Sequence, residues 1–353
     1  MRIAEIAPPW LAVPPKGYGG IEWVVALVAD GLSARGHDVT LFATGDSRTH
    51  ARLEAFFAEA PGPRFINSIW HEAVHTAFAL REPERFDLFH VHPSGTALVA
   101  AAALERPVVH TVHGPFTDEM KALYSLVGDR VWFVAISEAQ RANMPELPFA
   151  GVVYNGVDVE TYPFRRDKDD YVLFLGRAAP EKGAHRAVLA ARAAGARLII
   201  AVKIASEAER AHWDRDVAPI LPPDATVLGE ISFEDKVELL AGAKAVLFPI
   251  DWDEPFGLVM TEAMVCGTPV IATPRGSVPE IVADGRTGFV VDVEGYPEQA
   301  AAALAQVGEI DPGACRAWVE ERFSKEAMLD GYEGAFDRAV ASLPGRSTAV
   351  SSP

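Results

Sequence analysis

Cysteine is nearly absent from this 353-residue sequence: only Cys266 and Cys315 occur. Two thiols build no disulfide framework, so a buried apolar core must hold the chain together, and a reducing cytoplasm is the expected location. Long apolar runs are missing as well. No stretch approaches the roughly 20 residues that cross a bilayer, and the opening MRIAEIAPPW does not read as a signal peptide. Basic residues are few: 32 Lys and Arg against 49 Asp and Glu give a formal net charge of −17. Phosphate backbones demand a basic face, so a general nucleic-acid binder is excluded. Any phosphate bound by this chain must be held by a local basic pair.

What is present is an ordinary globular composition, 49% apolar and 23% charged, in a chain too long for one core. Two domains are therefore expected. Short β-rich runs alternate with Ala-rich helical stretches. RIAEIA, DVTLFA, DLFHVH, PVVHTV, VWFVAI and GVVYN read as strands in the first half. YVLFLG, RLIIAV, ATVLG, AVLFPI, PVIAT and GFVV do so in the second. Continuous apolar runs suit parallel strands covered on both faces. The expected fold is α/β, with two doubly wound Rossmann-like domains facing across a cleft. The boundary is placed in YPFRRDKDD (162–170), giving domains 1–162 and 163–324. A helix over 325–342 is expected to cross back, and the small polar tail 343–353 to be disordered.

Ligands of open parallel sheets sit at the carboxyl ends of the strands. Two segments there carry the chemistry. In FLGRAAPEKGAHRAV, Arg177 and Lys182 flank a loop before a helix, Gly183 allows a tight approach, and two cations beside a helix N-terminus fit a diphosphate. The ordinary alternative is a solvated loop. In DWDEPFGLVMTEAMVCGTPVIA, Pro255 suits a first helical turn and Gly257 a close ligand approach to free N–H groups, with Gly267 closing the helix. Glu262 stands inside that apolar helix. An unpaired buried carboxylate costs several kcal/mol, so it needs a metal, an internal basic residue or a hydroxyl-rich ligand. A vicinal diol such as a ribose would satisfy it; an internal ion pair is the alternative. Glu254, at the helix mouth, is placed either for a second polyol or for complementing the helix dipole.

Glu254 and Glu262 have seven residues between them, and the block EPFGLVMTEAMVCGTPVIATPRGSVPEIVADGRTGFVV resembles the signature of the retaining glycosyltransferases of family four, which have the GT-B fold. GYGGIE, HTVHG, YNGVD and GRAAPEKG appear in order before it, so the resemblance spans about residues 2–295. It departs from the family in a long Pro-rich loop after the first strand and in Trp23, where Arg is frequent. The resemblance implies that Arg177 and Lys182 neutralise the donor diphosphate and Glu262 holds the ribose. Glu254, with the backbone N–H groups of Phe256, Gly257 and Leu258, would bind the transferred sugar and distal phosphate. Gly19 and Gly20 would let the first domain's loop close over that phosphate, His113 would touch the sugar from across the cleft, and the base would lie near Gly229 and Glu230. His113, Glu254, Arg177 and Lys182 would be the catalytic group. The implied reaction is metal-independent transfer from a nucleotide diphosphate sugar, with same-face attack and the departing phosphate taking the acceptor proton. No cofactor is expected.

Two patterns are decoys. HEAVH (71–75) matches a zinc-protease pattern but has no third ligand at a recognised spacing, and reads as a surface helix. DWD (251–253) resembles metal-binding aspartates of another glycosyltransferase fold, yet the two cations already supply that charge. The competing functions are a nucleotide-sugar 2-epimerase or phosphorylase-like enzyme on the same scaffold, which incubation with donor alone would expose, and a non-catalytic nucleotide-sugar-binding subunit. Trp10, Tyr18 and neighbouring prolines offer an apolar rim for the acceptor. The acceptor, base, sugar and oligomeric state are not encoded legibly, and nothing supports membrane association.

Overall fold

The computed structural model describes residues 1–17 and 19–342. The β-branched and aromatic runs become strands because each can bury both faces. In the first unit these are β1 (Arg2–Ile6), β2 (Asp38–Phe42), β3 (Arg52–Glu54), β4 (Leu88–Val91), β5 (Val108–Val112), β6 (Trp132–Ala135) and β7 (Phe149–Val152). They form one parallel sheet in the order β3-β2-β1-β4-β5-β6-β7. In the second unit β8 (Val172–Arg177), β9 (Leu198–Lys203), β10 (Thr226–Leu228), β11 (Ala245–Phe248), β12 (Val270–Ala272) and β13 (Gly288–Val290) form another, in the order β10-β9-β8-β11-β12-β13. Both orders reverse direction at the first strand of the unit, the doubly wound pattern that leaves a crevice at the strands' carboxyl ends.

The chain divides between Gly156 and Val157 and again between Ser324 and Lys325, the first division falling ahead of the 162–170 stretch. Ile6, Phe42, Phe89, Val112 and Phe133 lie in the core of the first unit. Phe174, Leu198, Ile200, Leu247 and Tyr296 fill the second. The helix Lys325–Ala341 belongs to the first unit, burying Met328, Leu329, Tyr332 and Phe336. It comes so close to the helix Gly20–Ala34 that a Cβ on Gly31 would collide with Leu329. Trp132 donates from Nε1 to the Ser342 carbonyl at 2.8 Å, fastening its end. Tyr18 and the 343–353 tail lie outside the described residues.

Twelve of the strands follow the apolar runs. The thirteenth, β3, is a three-residue edge strand with one exposed and two half-buried positions, too short and polar for a pattern. β7 begins at Phe149 rather than Gly151, displaced by an irregularity in its pairing with β6 at Phe133 and Val134. Among the described residues no helix is long and apolar enough to cross a membrane.

Candidate functional site

The carboxyl ends of β8 and β11 meet because one backbone contact locks their loops. The turn Pro180–Lys182 leads into the helix Ala184–Ala194 through Gly183, which has φ 76°. Any Cβ there would collide with the Pro249 carbonyl oxygen just after β11. The tight approach expected at Gly183 is therefore made by protein backbone, not by a ligand. Asp251 then donates its N–H to the Glu181 carbonyl at 2.8 Å. This clamp brings Lys182 against Glu254.

The Lys182 ammonium is 2.6 Å from Glu254 Oε2, which also accepts from Trp252 Nε1 at 3.1 Å. It sits 4.3 Å from the Trp252 ring centre as well. An ammonium has three N–H donors, so two remain beyond the Glu254 bond. Glu254 is nearly buried, and its backbone is fixed by residues the sequence reading passed over. Ser277 donates its N–H to the Glu254 carbonyl at 2.9 Å and its hydroxyl to the Phe256 carbonyl at 2.7 Å. Gly276, at φ 55°, lies so close that a Cβ would strike the Glu254 backbone.

The helix begins at Leu258, later than Pro255 suggests. Gly257 precedes it at φ 82° and no side chain caps it. A Cβ on Gly257 would come within 2.7 Å of Met260 Cε and 3.2 Å of Glu254 Cγ, so the glycine serves backbone shape and packing together. Gly267 closes the helix as expected, its N–H reaching the Met264 carbonyl at 2.9 Å.

Glu262 is 7% exposed, on a helix whose Met260, Ala263, Met264 and Val265 are all buried. Its partner is internal. Lys236 Nζ lies 2.6 Å from Oε1, and Tyr162 donates its hydroxyl to the same oxygen at 3.0 Å. Burial first, and then the Glu262 charge, push the Tyr162 phenol well above its usual range, so it remains a donor. The carboxylate is thus not the unpartnered charge that its apolar surroundings suggest. Both bonds fall on Oε1; Oε2 has no hydrogen-bond partner among the described residues. Lys236 and Tyr162 have no legible signal in the sequence: one is a helix lysine, the other opens the boundary stretch 162–170.

Arg177, the last residue of β8, is ion-paired through Nη2 with Glu209 Oε1. Glu209 is itself almost buried and accepts the Ala205 N–H at 2.6 Å. Arg177 Nε is buried with no hydrogen-bond partner among the described residues. That orphaned donor faces the usual cost of an unmade hydrogen bond, about 1–3 kcal/mol. Gly229 and Glu230 follow β10 and line an open pocket of about 330 Å³ with Val202, Lys203, Trp213 and Leu228. Lys203 Nζ is 3.2 Å from Glu230 Oε1 at its rim.

In the first unit, Gly19 has φ 151° and leads into the helix Gly20–Ala34; its Cβ would meet Glu22 Oε2 and Pro15 at 2.8 Å. His113 follows β5, half-buried, with Nε2 2.7 Å from His92 Nδ1 and the two rings stacked at 5.0 Å. Burial first, then His92, His110 and His90, hold His113 well below the usual imidazole range. Trp10 is buried rather than part of a rim, and its Nε1 has no hydrogen-bond partner among the described residues.

The decoys resolve into structural roles. Glu72 accepts from Thr96 Oγ1 at 3.0 Å and the Ala97 N–H at 2.9 Å, capping the helix Thr96–Ala102. Buried His75 is pushed down to about 4 by burial. Asp251 pairs with Arg186 at 3.0 Å and Arg275 at 2.9 Å.

Residues 162–322 match the family described as glycosyl transferases group 1, and residues 18–161 match glycosyltransferase family 4. A phosphatidyl-myo-inositol mannosyltransferase of Mycobacterium tuberculosis is 30% identical, over 86% of both chains. A glycogen synthase of the same organism is 27% identical over 90% of this chain and 88% of its own. Among solved structures, AviGT4, a glycosyltransferase involved in avilamycin A biosynthesis, matches with a TM-score of 0.72 and 26% identity over 96% of this chain and 97% of its own. HepE of Anabaena, solved with UDP and glucose, shares the fold with a TM-score of 0.74 and 22% identity over 96% and 99%. With both halves matched by family models, a relative 30% identical over most of its length and two parallel Rossmann-like sheets, this chain belongs to glycosyltransferase family 4, the GT-B enzymes that move a sugar from a nucleotide-sugar donor.

Proposed function

We propose that the second unit holds the donor and that the chain transfers its sugar with retention, by same-face attack and without a metal. The observation that carries this is Lys182 held against Glu254, Nζ 2.6 Å from Oε2, a few residues before the uncapped N-terminus of the helix Leu258–Val265, with Arg177 ending the neighbouring strand β8. The two spare N–H donors of Lys182 and the orphaned Nε of Arg177 take diphosphate oxygens, aided by the helix N–H groups. Charge develops on the leaving oxygen during departure, and cations already fixed by Glu254 and Glu209 stabilise it without reorganising. Glu262 Oε2 accepts from the ribose hydroxyls. Glu254 orients the transferred sugar, and His113 touches it. Gly19 and Gly20 admit the distal phosphate, and the pocket beside Gly229 and Glu230 takes the base. The departing phosphate receives the acceptor's proton.

The test is calorimetric titration with UDP, GDP and ADP, followed by the nucleotide sugars of whichever binds best. Lys182→Ala and Arg177→Ala should each weaken diphosphate binding about tenfold or more, as expected for a lost charge-assisted hydrogen bond. The product's anomeric configuration should match the donor's. Unchanged diphosphate affinity in both variants, or an inverted product, would overturn the proposal.

A further inference from the structure

Beneath His113 runs a buried chain of ring nitrogens that ends on one carboxylate. β1 and β4 are paired so that Glu5 lies opposite His90, and His92 follows two residues on, on the same face. Glu5 is fully buried, and so, within a few per cent, are His90 and His92. Glu5 Oε1 lies 2.5 Å from His92 Nε2, and Oε2 lies 2.9 Å from His90 Nδ1. His90 Nε2 continues to Thr111 Oγ1 at 2.8 Å, and Thr111 to the Tyr332 hydroxyl at 3.2 Å. Those three side chains also have the composition of a cation triad. Their spacings are hydrogen-bond lengths, however, shorter than the roughly 3.3 Å kept by two ligands each about 2.0 Å from a tetrahedral ion.

We infer that Glu5 and His92 are positioning residues that fix the tautomer of His113, presenting its Nδ1 as a hydrogen-bond acceptor to a hydroxyl of the transferred sugar. The inference rests on the reading in which His113 meets that sugar. The logic is directional. An ionised carboxylate only accepts, so the proton between it and His92 sits on His92 Nε2. A neutral His92 then has a lone pair on Nδ1, which can only accept, so His113 donates from Nε2. That leaves His113 Nδ1 unprotonated, and it has no partner among the described residues. Protonation states agree with the geometry. Burial alone would raise Glu5, but the two histidines outweigh it and hold the carboxyl at about 2. His92 is pushed down to about 4, by burial first. An acceptor at this point suits a sugar hydroxyl, which can donate, and disfavours a carboxylate, which cannot. The donor class selected is a neutral sugar rather than a uronate.

The test is ¹⁵N NMR of histidine-labelled full-length protein near neutral pH. His113 should show a protonated Nε2 and a pyridine-type Nδ1, in the absence of any donor. A His113 protonated on Nδ1, or on both nitrogens, would overturn the inference outright. His92→Phe keeps an aromatic ring against His113 but removes the acceptor. It should let His113 populate both tautomers and slow transfer about tenfold or more, with the affinity for nucleoside diphosphate unchanged. Thr111→Val, which cuts only the other branch, should leave the His113 tautomer as it was. If His92→Phe shifts the tautomer and transfer is unaffected, a positioning role is refuted. If His113→Asn also leaves transfer unaffected, the reading that failed is the sugar contact itself. Should His92→Phe not fold, the wild-type spectrum alone still decides the tautomer.

Discussion

Glu22 shows how two opposing forces on one carboxyl can be ranked. It lies in the first turn of the helix Gly20–Ala34, where backbone N–H groups favour the charged form. It is also 5% exposed, and burial wins, pushing its pKa up to about 7. The folded state then keeps a proton that the unfolded chain releases near 4.5. Stability therefore falls as pH rises from about 4.5 through about 7. Glu22→Gln removes the ionisation. Compared with wild type it should gain little at pH 5 and on the order of 3 kcal/mol at pH 8. Thermal unfolding at both pH values checks this; a difference independent of pH would contradict it. At the same scale, Glu262 stands out in the sequence as a carboxylate inside an apolar helix, Arg177 and Lys182 as cations beside a helix start, and Glu254 by its place at a helix mouth. Their partners Glu209, Trp252, Lys236 and Tyr162 do not, since pairing depends on which loops the fold brings together.

Elements were more legible than contacts. A strand buried on both faces writes itself as a continuous apolar run, so β1, β5, β8 and β11 stand out, while β3, exposed at an edge, has no such signature. Helix starts were less clear. Proline at position 255 points to a start, yet the helix begins at Leu258, after the left-handed Gly257 that packs against Met260 and Glu254. Gly183 is the decisive backbone position at this scale. Its positive φ and the adjacent Pro249 carbonyl both exclude a side chain. Gly183→Ala should cost about 2 kcal/mol or more in denaturant unfolding and weaken diphosphate binding by displacing Lys182. Wild-type stability with wild-type affinity would mean that the clamp does not position the lysine.

Across the whole molecule, buried histidine is distributed unequally. Burial leads the causes that push His75 and His92 down to about 4, His110 to about 3 and His113 well below the usual range, and all four lie in the first unit. The unfolded chain binds protons below about 6.5 that these sites refuse, so stability is lost as pH falls from there. The four losses act in the same direction, and a domain's whole stability is small enough for them to matter. Glu22 works in the opposite sense and offsets part of the loss. The second unit has two histidines, His185 and His212, and His185 is displaced downward. Hydrogen exchange at descending pH should show β1, β4 and β5 losing protection before β8, β9 and β11. Simultaneous loss, or loss from the second unit first, would contradict this. The four histidines are visible in HEAVH, HVH and HTVH, but only the pairing of β1 with β4 shows that His92 shares Glu5 with His90.

The central claim is that Glu262, although paired with Lys236, keeps one oxygen for the ribose of the donor. A double cycle tests it directly: the best-binding nucleoside diphosphate and its 2′,3′-dideoxy analogue, each titrated into wild type and Glu262→Ala. Wild type should bind the dideoxy analogue about tenfold or more weakly than the parent, while Glu262→Ala should bind the two alike. An equal dideoxy penalty in both proteins would contradict the account, leaving Glu262 as the Lys236 counter-ion alone.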